Sequence, residues 1–205
     1  MFSSARLGRS SFKVARRCLS DTRRSKVVDA AVSFLKDKKK LLETLSPANY
    51  AAVDHAIGGS VGGHMRHMLD HFGRCLAVVK NCENSEDQSE IAYDRRERGG
   101  SVETDPFEAS KTVGELVRVL IELQGQDGGA ALRETTVAPA FVLGTSGQEF
   151  VFTSNLEREL FFCCHHGFHH DAMIRLILSN QGNQSVDEGL GLAPSTANFR
   201  RGSGG

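Results

Sequence analysis

The sequence predicts an all-α fold, a four-helix bundle with a small β-hairpin between the third and fourth helices. Three observations predict it. Four separate stretches carry apolar residues at the three-and-four spacing of an amphipathic helix. Residues with capping chemistry stand where those helices should begin. Two of the stretches carry rows of histidine on the faces that would otherwise be buried, so two stripes of imidazole should meet across a core.

The first helix follows Val27/Val28, Ala31, Phe34/Leu35, Leu41/Leu42 and Leu45 and ends at Ser46-Pro47, because the residue before a proline avoids the helical region. Lys38, Lys39 and Lys40 read as a solvated charge run near its C-terminal turns. Residues 46–59 read as a loop closed by Gly58-Gly59. Ser60 is the expected N-cap of the second helix, which runs to about Cys82. On it His64, His67 and His71 step by three and four and share one face, with Cys75 continuing the row. Three imidazoles in register, where leucine is usual, each require a buried partner or a metal ion.

Residues 83–104 form a polar connection with the run Tyr93-Asp94-Arg95-Arg96-Glu97-Arg98, longer than a bundle turn needs. Arg95, Arg96 and Arg98 are candidates to clamp a substrate carboxylate or phosphate; salt bridges to Glu97, Glu103 or Asp105 are the alternative use. Asp105 and Pro106 mark the N-cap and first turn of the third helix, with Gly125 as its end. Residues 132–143 and 148–153, rich in Thr, Val and Phe around Gly144 to Gly147, predict the hairpin.

The fourth helix occupies the stretch Ser154 to Leu178. Ser154 with Glu157 predicts a capping box and a start at Asn155. His166 and His170 lie one turn apart on the apolar stripe, and His165 and His169 follow the neighbouring row. Two imidazoles at this spacing can hold one metal ion through a single ring nitrogen each. Cys75 and Cys163 read as small packing residues rather than ligands or nucleophiles.

Composition limits the function classes. The chain has 205 residues, with 25 basic and 25 acidic side chains. Five of the basic ones lie in residues 1–20, which contain no acid; the remainder has 20 against 25, a formal charge of −5. That body is a poor partner for nucleic acid. No apolar run reaches the ~20 residues of a membrane span. Residues 1–19, with Arg6, Arg9, Lys13 and Arg16 on one helical face among serines, predict an organellar targeting peptide. A mitochondrial address is expected; a plastid address or a disordered basic tail has the same composition. The domain layout is then 1–19 targeting peptide, 20–180 bundle and 181–205 a partly ordered tail containing Ala193-Pro194-Ser195-Thr196. The cysteines form no CxxC pair, so neither a zinc knuckle nor a disulfide scaffold is indicated.

The chain resembles the DinB-like superfamily of metal-binding four-helix bundles. The likeness rests on a second-helix histidine in His64-Met65-Arg66-His67 and on the HxxxH pair His166 and His170. It extends to a subgroup with the segment Gly62 to Phe72, the Tyr93 to Asp105 loop and the Ala193 to Thr196 tail. The resemblance implies a mononuclear divalent site with His67, His166 and His170 as ligands and open coordination. His64, His71, His165 and His169 become the outer residues that orient ligands or handle protons. Zinc is the expected ion, with nickel or iron also suited to imidazole. Relatives use such a site for thiol-dependent transfer or isomerisation, or for hydrolysis. Asp171-Ala172-Met173 replaces their Arg-Gly-Gln-like stretch. The expected function is therefore a transferase or hydrolase that activates a thiol or water against a small anionic molecule. A non-catalytic metal- or ligand-binding bundle, acting as a sensor or assembly partner, is the alternative. A homodimer is compatible with either.

Overall fold

The computed structural model describes residues 24–81, 89–95, 99–183, 187 and 189–202. The expected targeting peptide lies outside the described residues. The protein is mainly α-helical with small β-sheets.

Four long helices carry the core: α1 (Lys26–Glu43), α3 (Val61–Asn81), α4 (Pro106–Asp127) and α6 (Leu156–Asn180). Helix α1 packs on α4 and α6, and α3 packs on α6 and α4. The Ser25 side chain caps α1 by accepting from the Val28 N–H. The helix stops at Glu43, and Ser46 then caps a short helix α2 (Pro47–Ala51), where Pro47 sits in the first turn and needs no donor. The expected loop 46–59 therefore holds that helix and strand β1 (Val53–Asp54), which pairs with β2 (Gly59–Ser60). Ser60 Oγ accepts from the Gly63 N–H at 3.0 Å, the cap its sequence position predicts.

Helix α4 begins behind Asp105, whose carboxylate accepts from the Phe107 N–H at 2.8 Å. It passes Gly125 and ends at Gly128, whose φ of 67° places it in the left-handed region that terminates helices. After helix α5 (Ala130–Glu134), the predicted β region becomes part of a four-stranded sheet. Strand β4 (Thr136–Val142) pairs antiparallel with β5 (Glu149–Val151) and with β6 (Ser154–Asn155). It also pairs in parallel with β3 (Ser89–Ala92), from within the expected loop, over Ser89↔Val137 to Ala92↔Ala140.

The start of α6 is shifted by one residue from the capping-box reading. Asn155 is the cap, its Oδ1 accepting from the Arg158 N–H at 2.9 Å. Ser154 is taken by β6 and donates instead to Glu159 Oε1 at 2.6 Å. Residues 194–202, in the expected tail, form helix α7 (Pro194–Gly202).

Two glycines set the approach of elements that frame the site. A Cβ at Gly167 would collide with the Phe34 ring, so α6 meets α1 closely there. A Cβ at Gly62 would collide with the Glu103 carbonyl, which holds a 3-10 turn, Ser101–Glu103, against the start of α3. Arg66 ties the same turn down through Glu103 at 3.1 Å. Among the described residues no helix is long and apolar enough to cross a membrane.

Candidate metal centre

Helices α3 and α6 lie side by side, and their histidine rows face each other. Met65, Met68, Leu69 and Phe72 alternate with the histidines of α3 and are buried in the core. On α6, Leu160, Cys163, Ile174 and Ile177 do the same. The hydrophobic stripes thus fix both helix rotations, and the histidines at intervening positions are carried into one place.

Three imidazoles converge there. His166 Nε2 lies 3.4 Å from His67 Nε2 and 2.9 Å from His170 Nε2. One nitrogen of each of the three lies within 4.8 Å of the others. Tetrahedral ligands at ~2.0–2.1 Å from zinc stand about 3.3 Å apart, so these separations suit a single small divalent ion. The cluster could hold a metal ion.

Its electrostatics agree with its geometry. Burial pushes His170 down to about 2, and the positive potential of His166, His67, His64 and His169 acts in the same direction. Burial, then His169, also lowers His64. Neutral imidazoles keep the lone pairs that metal binding requires. Three imidazole nitrogens at these separations are a donor set that a divalent ion can use.

The surrounding histidines take different places. His64 Nδ1 lies 3.0 Å from His170 Nδ1. If the His170 Nε2 lone pair faces the other two rings, its proton sits on Nδ1 and is donated to His64. His71 is buried and stacks on His166, ring centroids 4.4 Å apart and 14° between planes. His169 is exposed, its ring 5.2 Å from that of His170. His165 is exposed and turned toward Phe161, beside the cluster rather than around it. That follows from its position, one residue and about 100° from His166 on the helix. Partial exposure of His64, His67, His166 and His169 gives the centre a route to solvent.

Of the three candidate clamp residues, Arg95 is exposed and pairs with Glu90 at 3.1 Å, and its carbonyl accepts from Arg74. Arg96 and Arg98 lie outside the described residues. The same segment supplies a neighbour that the sequence reading passed over. Tyr93 is 2% exposed, stacks on His71 at 4.8 Å and donates to Glu159 Oε2 at 3.2 Å. Its alternation with Ile91, another buried residue, was the available signal.

The thiols at Cys75, Cys163 and Cys164 are free and buried. Burial raises Cys163 well above the usual thiol range and pushes Cys164 up to about 12. Such thiols are poor nucleophiles, in keeping with packing roles.

The lysine run is not uniformly solvated. Lys38 is 3% exposed and forms a buried ion pair with Asp171, the residue after His170, while Lys40 stays at the surface with Asp37 at 2.8 Å.

Comparison with known proteins gives no matching family model and no matching solved structure. The chain is similar to FK506-binding protein 5 of Rhizopus delemar, 32% identical over 106 residues. That stretch is 52% of this chain and 26% of the relative, so the chain spans about a quarter of the relative's length.

Proposed function

We propose that this chain is a four-helix bundle of the DinB-like type that binds one divalent ion through His67, His166 and His170 and works as a metal-dependent transferase or hydrolase. The observation that supports the reading is the convergence of three imidazole nitrogens with 2.9 Å and 3.4 Å separations on the facing sides of α3 and α6. Zinc is the proposed ion, with nickel and iron next. Bound there, it would supply Lewis acidity, which lowers the pKa of a nearby thiol or water toward neutrality.

The chain's own residues do the rest. His64 accepts from His170 and fixes that ring's tautomer. His71 and Tyr93 stack behind His166 and hold its plane. His169, exposed beside the cluster with its ring 5.2 Å from that of His170, is placed to touch a substrate that approaches the ion. The substrate is proposed to be a small molecule carrying a carboxylate or phosphate, met by at least one of Arg95, Arg96 and Arg98.

The pairing of Arg95 with Glu90 favours a second reading, a metal- or ligand-binding protein without turnover. Elemental analysis of the untagged protein purified without oxygen, followed by thiol-transfer and hydrolysis assays with and without a chelator, separates the two. One ion per chain with chelator-sensitive turnover supports the enzyme. One ion without turnover supports the binder, and no ion removes both. We also propose mitochondrial import with removal of residues 1–19; an endogenous chain whose mass includes Met1 would overturn that.

A further inference from the structure

The α1 side of α6 carries a second polar site. A cleft of ≈ 860 Å³ lies between α1, α6 and residues 187 and 189–191, a size typical of small-molecule sites, ~300–1,000 Å³. Phe34, Leu41, Phe168 and Leu190 line it with apolar surface. Lys38 and Asp171 also line it, each with its side chain only 3% exposed. Apolar walls with a few converging polar groups are the usual composition of a ligand pocket.

The ion pair leaves hydrogen-bonding capacity unused. Asp171 Oδ2 accepts from Lys38, but Asp171 Oδ1 is buried with no hydrogen-bond partner. A carboxylate oxygen in that state carries a desolvation cost that a donor would remove. The carboxylate torsion of Asp is broad and roughly two-fold, so either oxygen can turn toward the cleft. An ammonium has three donors; one reaches Asp171, and Nζ stands over the Phe34 ring, 4.6 Å from its centroid. A further donor therefore stands beside an unused acceptor. Also lining the cleft, Asp37 pairs with Lys40, and Asp187 accepts from the Gly189 N–H at 2.7 Å.

We propose that this cleft binds a small neutral molecule with an aromatic or aliphatic body and a primary amide, whose carbonyl accepts from Lys38 and whose N–H donates to Asp171. An anion would meet Asp171 and a cation would meet Lys38, whereas an amide presents an acceptor and a donor side by side. The site stands apart from metal binding at the histidines and does not rest on it.

The test is an NMR titration of the full chain with benzamide, with benzoate and ethylbenzene as comparators. Benzamide should give saturable shifts at Phe34, Phe168 and Leu190, binding at least about tenfold tighter than either comparator, the difference expected for hydrogen bonds to charged groups. The double variant Lys38→Met/Asp171→Leu should reverse the order, ethylbenzene over benzamide, because apolar replacement of a buried pair usually preserves the fold. Ser33→Trp, at an exposed α1 position that lines the cleft, should abolish benzamide binding by filling the space, and it decides the matter if the double variant does not fold. Unsaturable shifts in the wild-type chain, equal benzamide affinity in the double variant, or retained binding in Ser33→Trp would each overturn the proposal.

Discussion

His170 and Asp171 are consecutive residues on α6, yet they serve different neighbours. His170 faces α3 and meets His64 and His166. Asp171 faces α1 and meets Lys38. The 100° turn between successive helical residues makes this possible. Both clusters are polar, the α1 pair buried and the α3 histidines only partly so, and their balance of charge differs. On the α1 side opposite charges cancel within the protein. On the α3 side burial first, then His166, His67, His64 and His169, hold His170 well below the ordinary imidazole range. A buried imidazole held neutral keeps a lone pair that it can offer to a ligand.

The largest effect that would sharpen this contrast is on metal content. His67→Ala, His166→Ala and His170→Ala should each lower affinity for zinc at least about a hundredfold, whereas His64→Ala should lower it about tenfold, since an outer partner tunes a ligand rather than replacing it. The readout is calorimetric titration of chelated protein. Lys38→Met/Asp171→Leu should keep full stoichiometry; loss of the ion there would merge the two clusters into one.

Stability separates them next. Asp171→Ala strands a buried ammonium and should cost about 3–5 kcal/mol in urea unfolding, while the Lys38→Met/Asp171→Leu pair should cost far less. An equal loss from both would show that packing, not charge balance, governs the α1 side.

The pH response follows from the downward shift of His170 and has the sign of a depressed carboxylate, with stability lost on acidification. His170 is held near 2 in the fold, against 6.5 for a free imidazole. Below pH 6.5 the unfolded chain takes up a proton that the folded chain refuses. The contribution from neutral His170 is therefore complete above 6.5 and is lost as pH falls toward 2. In chelated protein the urea midpoint should drop between pH 7 and pH 5, and His170→Leu should flatten that drop. A midpoint that rose on acidification would mean that the cluster welcomes protons.

The smallest effect is expected two residues from Lys38. Lys40→Ala should leave the urea midpoint unresolved from wild type, because an exposed pair with Asp37 is weak and screened. Similar losses from Lys38 and Lys40 substitutions would erase the distinction between buried and surface lysine.

Much of the histidine face was legible because its information is local. The three-and-four steps of His64, His67 and His71, and the HxxxH of His166 and His170, set rotation on each helix from neighbours a turn away. The Asp105-Pro106 start of α4 and the Ser60 cap were readable for the same reason. Lys38 was not, because its burial depends on Asp171, 133 positions away, and nothing in Lys38-Lys39-Lys40 distinguishes the first from the third. Strand β3 is only four residues long, and its partner β4 lies beyond the whole of α4, so no short-range pattern announces the parallel pairing. Ser154 satisfied the capping pattern but was claimed by the sheet, leaving Asn155 to cap α6.

His67 and His166 stand 99 positions apart, and His64 and His170 stand 106 apart. Closing a loop of that length costs entropy before any contact rewards it, and distant contacts of this kind are made slowly. On the ribosome, α3 emerges about a hundred residues ahead of its partner histidines and can offer at most one side of a coordination sphere. Under the proposed metal site, loading becomes a late event in biogenesis, coupled to the docking of α6. An ion bound only by the finished fold raises its melting temperature in step with free metal. A chain proposed to carry that ion loses, when it is scarce, the share of its stability that binding would add.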